Sequence, residues 1–374
     1  MGLYPYFFAI EGSDATEVLI EGRRLVMVGS NNYLGLNHDS RVIAAAAAAM
    51  QKYGSACTGS RFLNGNTDLH DRLERELAAL TGKPAALVFP TGFQTNLGVI
   101  SAIVGHGDTA FLDKLDHASL VDGGALSLGE TVRFRHGDMA DLEAKLERAR
   151  DRGKLVAVDG VFSMEGDIAD LPRLVEVCGR HGARLLVDDA HAIGVLGPTG
   201  AGTAAHFGLT ERVDLIVGTF SKAFASIGGF VTGDEAVIHY LKHNARSLIF
   251  SASMPPSACA AVLACIDILR REPERQERLW SIARRMRAEL AALGFDVGTS
   301  EAPIIPVIIG GDLRTFAFWR ALYDNGVFAN PVVAPAVPEH SARIRTSYIA
   351  THTDEQLDFV LEVFHRAGKK MGVI

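Results

Sequence analysis

The sequence predicts an α/β protein: a mostly parallel sheet with helices on both faces, plus a smaller α+β C-terminal domain. Three observations predict it. From Ala85 onward short apolar runs alternate with segments of helical period, the rhythm of strand-helix-strand units. At 374 residues, 48% hydrophobic and 22% charged, the chain is long enough for a large core and a second, smaller one. A long helical stretch begins at Pro255-Pro256, and only shorter strand-helix-strand units follow it.

In chain order, residues 17–20 and 24–28 alternate around Glu21-Gly22, a hairpin pattern that predicts a small N-terminal ribbon. Residues 41–53, closed by Gly54, and 69–81, opened by Thr67 and Asp68 and stopped by Gly82, carry helix formers and boundary residues. Strands are expected at 85–89, 109–112, 131–134, 155–159, 184–188, 215–218, 229–232 and 248–251. Helices are expected from the proline pair to Arg270 and, opened by Pro273, over 274–293. The expected organisation is an N-terminal ribbon segment over 1–35, a large domain over 36–268 and a small C-terminal domain over 269–374.

A formal net charge of −7 leaves no basic footprint for a polyanion, which argues against nucleic acid as a partner. Cys57, Cys178, Cys259 and Cys265 stand at spacings unsuited to a metal knuckle, and a disulfide framework is unusual at this size, so they read as reduced intracellular thiols. The opening residues lack the basic start and apolar core of a secretory signal, and no later apolar run reaches membrane-spanning length. Tyr6 stands where a myristoylation motif wants Ser or Thr. The expected location is the cytoplasm.

In open α/β sheets ligands lie beyond the carboxyl ends of the strands, and the polar motifs of this chain fall there. Gly218-Thr219-Phe220-Ser221-Lys222 sets a lysine in a turn of small residues between apolar runs. A lysine so placed can hold an aldehyde as a Schiff base, and the Thr219 and Ser221 hydroxyls beside it suit phosphate oxygens. Asp188, closing an apolar run, suits a protonated pyridine nitrogen, because a fixed carboxylate keeps such a ring cationic and able to accept electrons. His191 can reach a ring hydroxyl. The competing readings are a plain turn cap at Asp188 and Asp189, or a metal site with His191; no second His/carboxylate pair at ligand spacing supports the metal. Pro90-Thr91-Gly92-Phe93 opens a helix whose free N–H groups suit an anion. His117 could stack flat on the ring. Arg345 has the planar fork that clamps a carboxylate, with Arg343 on the same strand face as the alternative. Together these residues predict pyridoxal 5′-phosphate (PLP) as the cofactor.

Along nearly the whole chain, in order, Ser30-Asn31-Asn32-Tyr33-Leu34-Gly35-Leu36, Gly59-Ser60-Arg61-Phe62-Leu63-Asn64-Gly65, Thr91-Gly92-Phe93, Asp116-His117-Ala118-Ser119, Asp159-Gly160-Val161-Phe162-Ser163-Met164-Glu165-Gly166-Asp167, Asp188-Asp189-Ala190-His191, Gly218-Thr219-Phe220-Ser221-Lys222 and Arg345-Thr346-Ser347 resemble the motifs of the α-oxoamine synthases. These PLP enzymes condense an amino acid with an acyl thioester and release carbon dioxide. The resemblance implies a fold type I PLP-dependent transferase with a mostly parallel seven-stranded sheet, acting as a homodimer with shared active sites. It implies that Lys222 bonds the cofactor aldehyde, Asp188 holds the pyridine nitrogen, His191 the ring oxygen, and His117 stacks and meets the substrate carboxylate. Likewise it implies that Thr91, the Gly92 and Phe93 amides, Thr219 and Ser221 hold the phosphate and that Ser163 lies beside the cofactor. Asn32, with Asn31, would line the substrate site, Arg345 would grip the carboxylate, and Ser251 would reach the neighbouring subunit's phosphate.

Within the family, residues 59–65 and the loop 330–338 look most like the serine palmitoyltransferases, while Asp159 stands where many members have Glu and Ala334 interrupts a usual proline pair. The implied reaction joins L-serine to a long-chain acyl thioester, carried by coenzyme A or an acyl carrier protein, in the first step of sphingolipid synthesis. The alternatives are 8-amino-7-oxononanoate synthase or glycine C-acetyltransferase chemistry on alanine or glycine, an aminotransferase or decarboxylase on the same scaffold, and a cofactor-free scaffold subunit. Peripheral membrane contact is envisaged for the apolar loop near Pro335.

Overall fold

Seven of the eight expected strands form one sheet, in the spatial order Ala85–Phe89, Gly229–Gly233, Leu215–Thr219, Arg184–Asp188, Lys154–Asp159, Thr109–Asp113, Glu130–Phe134. Gly229–Gly233 runs antiparallel to both neighbours and every other pairing is parallel. The strands read as continuous apolar runs because both faces are covered. Along them alternate residues part company: Phe111, Val156, Val158, Val187 and Ile216 enter one core, and Ala110, Leu112, Leu155, Leu186 and Val217 the other. That is the two-residue period of a pleated strand. Each fully buried Leu, Val or Phe contributes about 1.5–3 kcal/mol relative to exposure.

The eighth expected strand is a helix. Arg246–Ile249 forms one short α-helical turn that ends before Ser251. Leu241, Ala245 and Leu248 are buried while Phe250 is exposed, so the burial follows helical spacing. A four-residue apolar run does not distinguish the two conformations by itself.

The computed structural model describes residues 4–374; residues 1–3 of the expected ribbon segment lie outside the described residues. The sheet and its helices make up one compact unit, Asp39–Phe162 with Ile168–Glu272. Met1–His38, Ser163–Asp167 and Pro273–Ile374 make up the other. The division therefore falls at Pro273, where a new helix starts, and the N-terminal segment shares its unit with the C-terminal one.

In that second unit Glu17–Ile20 and Arg23–Met27 form the expected hairpin. Glu21 and Gly22 both take positive φ, 51° and 69°, the turn that matches the right-handed twist of paired strands. Val327–Phe328 adds to Arg23–Met27 in parallel, which draws the ribbon into the C-terminal core. Val18, Ile20 and Leu25 accordingly pack in one cluster with Phe318, Trp319, Tyr323, Ile344 and Phe364. A separate antiparallel sheet is ordered Ile304–Gly310, Ala342–Ser347, Asn330–Val332. Among the described residues no helix is long and apolar enough to cross a membrane.

Candidate active site

Helix Gly92–Ile103 begins directly beyond the strand Ala85–Phe89. Thr91 caps it, its hydroxyl accepting from Gln94 N–H at 3.1 Å. The Gly92 and Phe93 N–H groups, as the first of a helix, have no intrahelical acceptor and present partial positive charge to an anion. Backbone comes unusually close here. A Cβ built on Gly229 would lie 2.6 Å from Gly92 Cα, and one on Gly92 would lie 2.8 Å from the Thr219 side chain. Only glycine at both positions lets Thr219 stand over the helix start. The Thr219 hydroxyl lies 3.0 Å from Ser221 Oγ and donates to Gly228 O at 3.1 Å. Ser251 Oγ accepts from Gln94 Nε2 at 2.9 Å. Thr91, Gly92, Phe93, Thr219 and Ser221 are thus gathered at one helix start, with Ser251 one hydrogen bond away through Gln94.

The sheet register sets Asp159 opposite Asp188. Asp188 Oδ1 accepts from Ala190 N–H at 3.0 Å and Oδ2 from Asn96 Nδ2 at 2.6 Å. Asp116 accepts from the N–H groups of Asp113 and Asp159, at 2.7 and 2.9 Å. Asp159 Oδ2 accepts from His117 N–H at 3.2 Å. All three carboxyls are buried. Burial, then the Asp113 charge, raises Asp116 well above the usual carboxylate range; burial, then the Asp116 and Asp188 charges, raises Asp159 likewise, with Lys222 pulling it back.

Lys222 is half-buried in the turn after Leu215–Thr219, and its charge bears on both Asp159 and His117. Burial holds His117 below the ordinary histidine range against the pull of Asp188. The Phe93 and His117 rings meet edge to face at 6.2 Å. His191 is buried in the turn beyond Arg184–Asp188. Its neighbour Asp189 is a different kind of group: fully buried, it anchors the Thr203 N–H at 2.9 Å and burial pushes it up to about 7. The two adjacent aspartates therefore differ in their partners, Asn96 and Ala190 for Asp188 and Thr203 for Asp189.

The remaining expected residues belong to the other unit. Arg343 and Arg345 are both buried on the strand Ala342–Ser347, 5% and 4% exposed, and their partners differ. Arg343 pairs with Glu165 at 3.3 Å. Arg345 donates to Ser163 O at 2.6 Å, Asn31 Oδ1 at 3.0 Å and Ser347 Oγ at 3.5 Å, and it bonds the buried Tyr33 hydroxyl. Every partner of Arg345 among the described residues is neutral. The two asparagines also part: Asn31 touches Arg345, whereas Asn32 Nδ2 turns to Asn37 Oδ1 at 2.6 Å. Ser163 meets the guanidinium through its backbone carbonyl.

Sequence reasoning missed Asn96. The available signal is an amide one helical turn beyond a phosphate-type glycine.

Residues 23–364 match the aminotransferase class I and II family. A serine palmitoyltransferase of Sphingobacterium spiritivorum is 51% identical over 370 residues, 99% of this chain and 93% of that protein. An 8-amino-7-oxononanoate synthase of Thermoanaerobacter pseudethanolicus is 42% identical over 375 residues, covering 100% of this chain and 95% of that one. The chain belongs to the α-oxoamine synthases. A solved serine palmitoyltransferase variant from S. paucimobilis, with a bound PLP-myriocin aldimine, matches this α-oxoamine synthase with a TM-score of 0.97 and 39% identity, over 99% of this chain and 94% of that one. The fold is that of a fold type I PLP transferase, and the cofactor is PLP. The residues present fit it: a helix-start cradle that a Cβ would fill at Gly92 or Gly229, a buried carboxylate at Asp188 and an amine at Lys222.

Proposed function

We propose that this α-oxoamine synthase condenses L-serine with a long-chain acyl thioester, releasing the thiol and carbon dioxide and yielding a 3-keto long-chain amine. The observation that carries the reading is the gathering of Thr219 and Ser221, in the turn that holds Lys222, at a helix start where Gly92 and Gly229 let backbone approach closely, with Asp188 buried on the neighbouring strand. Serine and a long acyl chain are supported by the motifs at residues 59–65 and 330–338 and by the higher identity to serine palmitoyltransferases, 51%, than to 8-amino-7-oxononanoate synthase, 42%.

When bound, PLP supplies an electron sink for the negative charge that develops at the substrate Cα. Lys222 would hold the cofactor through its Nζ, and that amine, once the serine amine has displaced it, would take the Cα proton. Asp188 would keep the ring nitrogen protonated, and His191 would bond the ring oxygen. His117 would stack on the ring and donate Nε2–H to the substrate carboxylate. Arg345 grips that carboxylate, with Asn31 fixing its fork, Asn32 supporting the loop and Ser163 beside the cofactor. Thr91, Gly92, Phe93, Thr219 and Ser221 hold the phosphate. In the net reaction a bond forms between serine Cα and the thioester carbonyl carbon, the carbon–sulfur bond breaks and the sulfur leaves as the thiol, the serine carboxyl leaves as carbon dioxide, and Cα takes back a proton.

A homodimer, with Ser251 reaching the phosphate of a second copy, belongs to the same proposal, as does a cytoplasmic location. The exposed Pro335 and Ala336 beside buried Val337 support a transient lipid contact of that loop. Product identification by mass spectrometry tests the reaction. Serine with palmitoyl thioester should release thiol and give the long-chain keto amine; turnover only with alanine and pimeloyl thioester would replace this reading.

A further inference from the structure

A run of hydrogen bonds ties His117 to Asp188 through two side chains that touch neither the phosphate cradle nor Lys222 in any bond described above. Asn96 is 1% exposed on helix Gly92–Ile103. Its Nδ2 donates to Asp188 Oδ2 at 2.6 Å and to Ser119 Oγ at 2.9 Å. Ser119 Oγ lies 2.8 Å from His117 Nδ1, and the Ser119 N–H donates to the same nitrogen at 3.2 Å.

The direction of each bond is forced. An ionised carboxylate only accepts, so the Asn96 amide presents its nitrogen to Asp188. A backbone N–H only donates, so His117 Nδ1 is an acceptor and the ring proton sits on Nε2. The Ser119 hydroxyl, receiving the second Asn96 hydrogen, gives its own to His117. The other end of the amide shows what this orientation costs: Asn96 Oδ1 is buried and meets no donor among the described residues. A leucine-sized apolar group would fill the same space without an orphaned acceptor, so packing does not explain the asparagine.

We propose that Asn96 is a positioning residue that sets two groups at once, fixing the Asp188 carboxylate from its Oδ2 side and, through Ser119, holding His117 as the Nε2–H tautomer. The inference rests on the reading of Asp188 and His117 as cofactor-facing groups. The lowered affinity of buried His117 for a second proton agrees with it.

The test is PLP titration of the full-length apo-protein, followed by cofactor absorbance, with the melting temperature of each apo-variant measured alongside. Asn96→Asp, nearly the same size, replaces the donor with an oxygen, and Asn96→Ala removes it. Each should weaken PLP binding by about 10- to 100-fold, the loss expected for a hydrogen bond to a charged group, while the apo melting temperature stays near wild type. Ser119→Ala should leave PLP binding within about threefold of wild type, since Asp188 keeps its donor, and raise the KM for serine. Unchanged PLP affinity in both Asn96 variants would overturn the inference alone. So would a drop in apo melting temperature that accounts for the whole loss, as a purely structural role requires. A wild-type protein that takes up no PLP would sink the functional reading and this inference together.

Discussion

In the unit that carries Lys222, three carboxyls, Asp116, Asp159 and Asp188, are buried in one network, each accepting from at least one N–H group. In the unit that carries Arg345, two guanidiniums are buried on one strand face, and among the described residues only Arg343 has a carboxylate partner. Like charges crowded together leave a folded protein two remedies, donors on every oxygen or a proton kept on the acid. Asp116 and Asp159 show both, since their pKa values are raised while their oxygens receive backbone N–H groups. Arg345 has only the first kind, hydrogen-bond partners on its nitrogens, because an arginine does not give up its proton. A buried cation solvated by carbonyl, amide and hydroxyl oxygens keeps its full charge. In the proposed reaction the difference separates groups that tune the cofactor from a guanidinium that takes the substrate carboxylate.

The largest expected effect comes from removing Lys222, whose charge acts on the acidic network. Lys222→Ala should lower product formation by about 10⁴-fold or more, since both the covalent hold and the Cα base are lost; mass-spectrometric product assay checks it. Arg345→Lys sharpens the contrast within the second unit. It should lower kcat/KM for serine by about 100-fold, mostly through KM, as a planar fork becomes a point charge. Arg343→Lys should leave KM within about threefold and act on thermal stability instead, because its fork is already taken by Glu165. Equal KM effects at both arginines would erase the distinction drawn between them.

Smaller effects concern pH. Asp189 has a folded pKa of about 7 against an ordinary 3.8, so its contribution to stability is fully present below the ordinary value and is lost as pH rises toward 7. That one group removes on the order of 4 kcal/mol over the interval, and Asp189→Asn should flatten the denaturant midpoint between pH 4 and 7. His70 and His352, one in each unit, have folded pKa values of about 4 against 6.5. The sign reverses: their contributions are present above 6.5 and are lost as pH falls through 4. Each donates Nε2–H in its neutral form, His70 to Met254 O at 3.0 Å and His352 to Met27 O at 3.1 Å. Falling pH should therefore weaken the second unit through His352, while in the first the loss at His70 is opposed by the gain at Asp189. Unfolding curves from pH 4 to 8 measure both slopes.

Much of the sheet was legible because strands covered on both faces carry apolar residues at nearly every position, and the polar motifs stand at their carboxyl ends. Residues 248–251 misled for the same reason, since a short apolar run looks alike in a strand and in a helical turn. Asp188 stands out from Asp189 by closing an apolar run, whereas Arg343 against Arg345 and Asn31 against Asn32 are pairs of one residue type at close spacing that differ in the partners each side chain finds. Sharing of Ser163–Asp167 with the C-terminal unit was invisible, because it depends on long-range contacts such as Arg345 to Ser163. Asn96 escaped because its role consists entirely of bonds to residues far along the chain.

The proposed chemistry depends on Lys222 being the residue that bonds the cofactor. Borohydride reduction of the PLP-loaded protein, followed by proteolysis and peptide mass mapping, tests this directly. The phosphopyridoxyl group is expected on the peptide containing Lys222 and on no other; a label at a different lysine, or a fully loaded protein with Lys222 unmodified, would contradict it.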